Sequence, residues 1–311
     1  MPELPEVECV RRTLAERLVG RRVVSADLRR MDVLQPVDRM RRGDAAATRA
    51  EAGEVELLAG RLVRRVVRHG KRLAVEGDDG SAVGVHLGMS GRLLWRAAGS
   101  ADAGGPGGPG EPGVEPFEGR HTHCRWRLDD GSTLAFVDHR RFGGLWDWPA
   151  GATWFVGLGP DATAIRPRQL HEALGGTRRA VKAALLDQAV VAGLGNIYVD
   201  ELLHQAGLHP LSPADALDLP SVQRLVRAMR RLLGRAIEAG GSTLRDYVDA
   251  EGRAGAFALR HRVYGRGGEP CRSCRTPLLT LVVAGRTTTA CPRCQPLPDR
   301  STSSARSSGE E

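Results

Sequence analysis

Aromatic side chains make up only 4% of this 311-residue chain, and lysine occurs only at positions 71 and 182 among 45 basic residues. Both shortages accompany an abundance of Ala, Gly and Arg, the mark of a GC-rich coding sequence, and neither points to a function. No uninterrupted apolar run reaches the roughly 20 residues of a membrane helix. The first twenty residues are too charged for a secretory signal. Cysteine is sparse as well. Of six, four cluster near the C-terminal end while Cys9 and Cys124 stand alone, which fits a reducing compartment rather than a disulfide scaffold. A soluble cytoplasmic protein with no membrane partner is expected. What the chain has in excess is positive charge, with a formal net charge of +8. A polyanionic partner follows, although charge alone does not separate nucleic acid from acidic lipid.

The length allows two domains with real cores. The chain begins "MPELPEVE", where Pro5 suits the first turn of a helix and Glu6 and Glu8 suit its positive end. Val7, Val10, Leu14 and Leu18 continue at helical spacing to Gly20, so the simple reading is a capped helix with a solvated acidic turn. Pro2 and Glu3 stay unexplained by it. Short β patterns follow at 21–28, 61–67, 72–76, 81–88, 123–128 and 132–138, predicting an antiparallel sandwich or barrel built on one helix. Residues 40–55 are polar and Ala-rich, and the Gly/Pro/Ala stretch 97–116 reads as a mobile loop. Beyond about residue 165 the period becomes helical, predicting helices within 169–176, 178–193, 196–207 and 219–241.

The expected fold is therefore α+β and multidomain. An N-terminal antiparallel sandwich or barrel built on one helix (1–150) precedes a helical domain (151–264), a C-terminal cysteine hairpin (265–296) and a disordered tail (297–311). "CRSC" and "CPRC" place Cys271, Cys274, Cys291 and Cys294 as C-x2-C-x16-C-x2-C, the spacing of one structural zinc held by four thiolates. Ala284-Gly285 between them suits a hairpin turn with Arg286 projected at its tip, where a phosphate would suit it. In "AGLGNIYVDE", Asn196 is placed to cap a helix, and the turn could bind a phosphate, with Arg178, Arg179 and Lys182 adding charge on the preceding helix. Alone, that turn is an ordinary helix hairpin.

"MPELPEVE", "GLGNIYVDE" and "VYGRGGEPCRSC…CPRCQ", in this order, closely resemble the formamidopyrimidine-DNA glycosylase / endonuclease VIII family, and within it the bacterial formamidopyrimidine-DNA glycosylases, from residue 1 to about 296. The resemblance implies an N-terminal antiparallel β-sandwich with a helix carrying the N-terminus, a helix–two-turns–helix domain and a zinc β-hairpin in a monomeric, nucleoid-associated enzyme of base excision repair. It implies damaged double-stranded DNA as partner, excision of oxidised purines and strand cleavage at the abasic site by β,δ-elimination.

It also implies residue roles. Pro2, exposed by loss of Met1, supplies the secondary amine that forms the Schiff base. Glu3 serves as general acid and base, with Glu6 setting local charge. Lys71, on a strand, and Arg286 assist elimination. Met89, Arg140 and Phe142 fill the gap left by the extruded base, and His121, Arg178 and Asn196 contact DNA. Without the resemblance, Met89 and Phe142 would read as core and Lys71 as a solvated lysine.

The chain departs from the family pattern at Ala254 and Ala256, where proline and tyrosine are expected, at His139 for proline and at Arg275 for glycine. Base preference is the property these departures touch. Leu4 separates it from endonuclease VIII, whose start reads closer to "PEGPE". Two readings of other classes compete, a non-catalytic DNA-binding relative and a zinc-ribbon module of transcription or translation. Holding Pro2, Glu3 and Lys71 together argues against both.

Overall fold

The structure, a computed structural model, describes residues 2–35, 55–100, 117–243 and 247–297. Residues 36–54, 101–116, 244–246 and 298–311, which include most of the polar stretch 40–55, of the expected loop 97–116 and of the expected tail, lie outside the described residues. Two compact units are formed, residues 1–157 with 236–259, and residues 158–235 with 260–311.

In the first unit, α1 (Leu4–Leu18) starts at Glu3 with a capping box, in which Glu6 accepts the Glu3 N–H at 2.8 Å. Leu4, Val7, Val10, Leu14 and Leu18 bury one face. The acidic turn is not solvated as expected: Glu6 is 1% and Glu8 9% exposed. Among the described residues eight strands follow: β1 (Val23–Leu28), β2 (Val63–His69), β3 (Arg72–Gly77), β4 (Ala82–His86), β5 (Arg92–Arg96), β6 (Thr122–Leu128), β7 (Thr133–Val137) and β8 (Gly144–Trp148). They form two antiparallel sheets, ordered β1-β6-β7-β5 and β2-β3-β4-β8. Inward residues of both sheets, such as Val23, Leu73, Val85, Leu93, Trp126 and Phe136, share one core with α1, as a sandwich requires. The β patterns of the sequence include neither β5 nor β8.

The segment 236–259 belongs to this unit rather than with the helices that precede it in the chain. Glu6 explains why. Its Oε1 accepts the Ser242 N–H at 2.7 Å and its carbonyl accepts the Tyr247 hydroxyl at 3.1 Å, while Ala250 enters the sandwich core.

The second unit holds α2 (Pro167–Gly175), α3 (Val181–Leu186), α4 (Asn196–Ala206), α5 (Leu219–Glu238, whose last residues count with the first unit), and the hairpin β9 (Leu279–Val283) and β10 (Arg286–Ala290). The helix expected over 178–193 is only α3. Beyond it the Gln188 amide bonds the carbonyls of Leu186 and Leu194 and accepts the Gly193 N–H, which folds the chain into a compact turn. Arg178 and Arg179 therefore precede the helix instead of standing on it.

Candidate active site and nucleic-acid interface

Antiparallel register fixes one end of the sandwich. His69, Arg72, His86 and Gly144 pair in a row, so the β2–β3 turn, the loop after β4 and the loop before β8 share that end. Helix α1 runs antiparallel to β2. Gly20 N–H bonds Val63 O at 2.9 Å, Arg11 reaches Val66 O at 3.4 Å, and Arg68 Nε donates to Glu8 at 3.0 Å. The start of α1, with Pro2 and Glu3, is thereby carried to the same end, and both residues are buried.

Lys71 is not on a strand. It is the second residue of a two-residue turn whose first, Gly70, has φ +58, the backbone that a tight hairpin demands of glycine. Lys71 is 8% exposed, so the solvated-lysine reading also fails. Arg68 ties turn to helix, giving Nη1 to Gly70 O at 3.1 Å and Nε to Glu8. Glu8 collects Arg11 and Arg12 as well. Burial alone would raise its carboxyl, but the guanidiniums of Arg11, Arg68 and Arg12 hold it below its usual value. Sequence reasoning passed over His86 beside this cluster. Burial first, then the charges of Arg72 and Lys71, push it down to about 4, so its imidazole is neutral at physiological pH.

The two neighbouring loops are bolted together. Ser90 Oγ donates to Asp138 Oδ1 at 2.5 Å, and the same carboxylate accepts the N–H groups of Arg140 and Gly143. A side chain at Gly88, where φ is +59, would lie 2.3 Å from the Phe142 carbonyl carbon, so only glycine permits this approach. Met89 and Phe142 emerge from these loops 41% and 55% exposed, and the Arg140 guanidinium lies 4.9 Å from the Phe142 ring centre. Neither is core. His121 joins the same end, bonded to Arg120 and edge-on to His139 at 6.1 Å.

In the second unit Asn196 is the first residue of α4, after Gly195 as cap, not the cap itself. Its Nδ2 bonds Thr287 O at 2.9 Å, next to Arg286, which is exposed where β10 begins. The hairpin turn is Ala284-Gly285, both with positive φ, in the expected register. Lys182 contributes no surface charge. Fully buried, it donates to Asp200 at 2.6 Å and Thr288 Oγ1 at 2.7 Å, while Asp200 also accepts the Thr289 N–H. Burial pushes Asp200 up to about 6 against the pull of Lys182. Arg179 is held by Asp187, and Arg178 stands exposed with Asp215 at 3.7 Å.

The sulfurs of Cys271, Cys274, Cys291 and Cys294 all lie within 4.8 Å of one another, with Cys274–Cys291 at 3.4 Å and Cys271–Cys294 at 4.0 Å. Thiolates about 2.3 Å from a tetrahedral zinc stand roughly 3.8 Å apart, so the cage fits. Backbone N–H groups of Ser273 and Cys294 point at sulfurs, and His204 Nε2 lies 3.4 Å from Cys271 Sγ, a neighbour that helical spacing does not reveal.

A sandwich carrying its N-terminus beside a buried lysine, a glycine-rich helix turn and a four-thiolate hairpin together define a zinc-hairpin DNA glycosylase. The chain belongs to the formamidopyrimidine-DNA glycosylase family. Residues 1–145 match the formamidopyrimidine-DNA glycosylase N-terminal domain, 156–248 its H2TH domain and 268–297 the zinc finger found in FPG and IleRS. The formamidopyrimidine-DNA glycosylase of Gloeobacter violaceus is 41% identical over 305 residues, covering 95% of this chain and 98% of the relative. The MutM (Fpg) structure from Thermus thermophilus matches at TM-score 0.76 and 35% identity, over 96% of this chain and all of that one. A Lactococcus lactis FPG mutant in complex with DNA containing Fapy-dG matches at TM-score 0.76 and 30% identity, over 95% and 100%. The protein is thus an Fpg-type DNA glycosylase and abasic-site lyase of base excision repair with one structural zinc.

Proposed function

We propose that the chain, as a monomer in the cytoplasm and on the nucleoid, excises oxidised purines, formamidopyrimidines and 8-oxoguanine, from duplex DNA. It then cleaves the strand by β,δ-elimination through a Schiff base on Pro2. The observation that carries this reading is the convergence of Pro2, Glu3 and Lys71 at one end of the sandwich, beside the exposed pair Met89 and Phe142. Relatives bound to Fapy-dG DNA and to abasic-site DNA support the substrate.

With Met1 removed, the Pro2 secondary amine has its lone pair free to act as a nucleophile. Its nitrogen attacks C1′. The bond to the base breaks, and the base leaves with a proton supplied by an acid, the role given to Glu3. Loss of the amine proton and opening of the sugar ring, whose O4′ takes up a proton, leave an iminium between Pro2 and C1′. That cation acidifies C2′. Removing its proton expels the 3′ phosphate, a second elimination expels the 5′ phosphate, and water releases Pro2. Lys71 and Arg286 balance the phosphate charge in these steps. Met89 and Phe142 occupy the space of the extruded base, Arg140 faces its orphaned partner, and His121, Arg178 and Asn196 hold the backbone. Residues 1–150 would supply the chemistry, with 151–264 and 265–296 gripping DNA. Zinc holds the hairpin rigid and takes part in no step.

Borohydride trapping on an oxidised-guanine duplex tests this with N-terminally and C-terminally tagged protein. An N-terminal tag turns the Pro2 amine into an amide, so only the C-terminally tagged form should be trapped. Equal adduct from both would move the nucleophile to Lys71, since the other lysine, Lys182, is fully buried.

A further inference from the structure

Helix α5 carries a charged face that the site described above does not use. Val222, Leu225, Val226, Met229, Leu232 and Leu233 are buried, whereas Arg224, Arg227, Arg231 and Arg235 are exposed. At 100° and 1.5 Å per residue, these four fall within an arc of about 80° and span about 16 Å along the axis. Several arginines elsewhere sit in ion pairs, Arg61 with Glu56 and Asp79, Arg30 and Arg141 with Asp32, Arg29 and Arg125 with Asp27 and Glu118. Among the described residues, none of the α5 four has an ion pair, and Arg224 bonds only Ser221. No acidic residue occurs between Leu219 and Ile237.

Like charges at i and i+4 repel one another. The stripe therefore weakens the helix slightly until an anion lies along it. A single small anion would neutralise one position; a row of charges on one axis calls for a polymer whose charges are also in a row. Guanidinium groups bind phosphate in two-point fashion, and each strand of duplex DNA carries a phosphate about every 3.4 Å of helix axis. We propose that this face of α5 is a second DNA-backbone contact, distinct from the lesion site, that holds undamaged duplex by charge alone. It rests on the DNA-repair reading above only for the choice of DNA as polyanion.

The test compares the zinc-loaded full-length protein with R224Q/R227Q/R231Q/R235Q and with the corresponding four-lysine variant. Binding is measured against salt on a long undamaged duplex and on a short duplex just spanning a lesion. On long DNA the glutamine variant should lose about 3–4 units of log–log salt slope, at roughly 0.9 per phosphate contact. The lysine variant should keep most of it, and excision from the short duplex should be unchanged. Should the fourfold glutamine variant fail to fold, R227Q/R231Q should lose about half as much slope. An unchanged slope on long DNA overturns the proposal. So does an equal loss on both duplexes, which would make the stripe part of the lesion site, and so does loss of binding to anionic vesicles with DNA binding intact. A wild-type protein that excises nothing would instead sink the proposed function, because the undamaged-duplex measurement stands without it.

Discussion

Phe142 separates packing from function at a single residue. With 55% of its surface exposed, it contributes little to the core, so Phe142→Ala should move thermal stability by no more than about 0.5 kcal/mol. If it stacks where a base has been extruded, single-turnover excision should fall by the equivalent of about 1–3 kcal/mol. A large drop in melting temperature would return Phe142 to the core. Glu8 makes a second prediction, with a sign fixed by linkage. Its carboxyl sits below the ordinary 4.5 in the folded state, so its contribution is present above pH 4.5 and lost as pH falls through the lowered value. The stability gap between wild type and Glu8→Gln at neutral pH should therefore shrink under acid, and a constant gap would sink the argument. At this scale, legibility depended on local motifs. The four cysteines and the Ala284-Gly285 turn were readable because their spacing is itself the geometry. The surface charge expected of Lys182 was misread because a helix pattern says which face a side chain shares, not what packs over it.

The elements show where periodicity stops. β5 and β8 lack the punctuated β-branched runs by which their neighbours were found, and α3 is cut short by side-chain bonds from Gln188 that no periodicity encodes. Three elements of the second unit are joined by one buried group: Lys182 of α3 bonds Asp200 of α4 and Thr288 of β10, the strand that begins with Arg286. Removing one partner strands the other's charge out of water, a cost of about 3–5 kcal/mol. Asp200→Asn should thus lower the melting temperature sharply. Replacing both, with Lys182→Met and Asp200→Leu, removes the stranded charge and should restore most of the loss. If Asp200→Asn melts like wild type, the pair does not lock the strand.

At the scale of the whole molecule, the order of modules along the sequence was legible, but the return of 236–259 to the first unit was not, because it rests on Glu6 reaching a residue 236 positions away. The two units can be watched separately, since all five tryptophans, at 95, 126, 146, 148 and 154, belong to the first. The zinc cage lies wholly in the second. Its thiolates repel one another without a cation between them, and the hairpin has little apolar core of its own beyond Val263, Leu278 and the cysteines. Metal binding in such a module is a large part of its folding free energy. Stripping zinc with a strong chelator, or Cys274→Ala, should therefore loosen residues 268–297 to protease and abolish DNA binding. Tryptophan emission should meanwhile stay that of the folded sandwich, and adding zinc back to the chelated wild type should restore binding. DNA affinity that survives verified loss of the metal would show that the hairpin does not need its zinc. A shift in tryptophan emission on chelation would show that the sandwich does not stand independently of it.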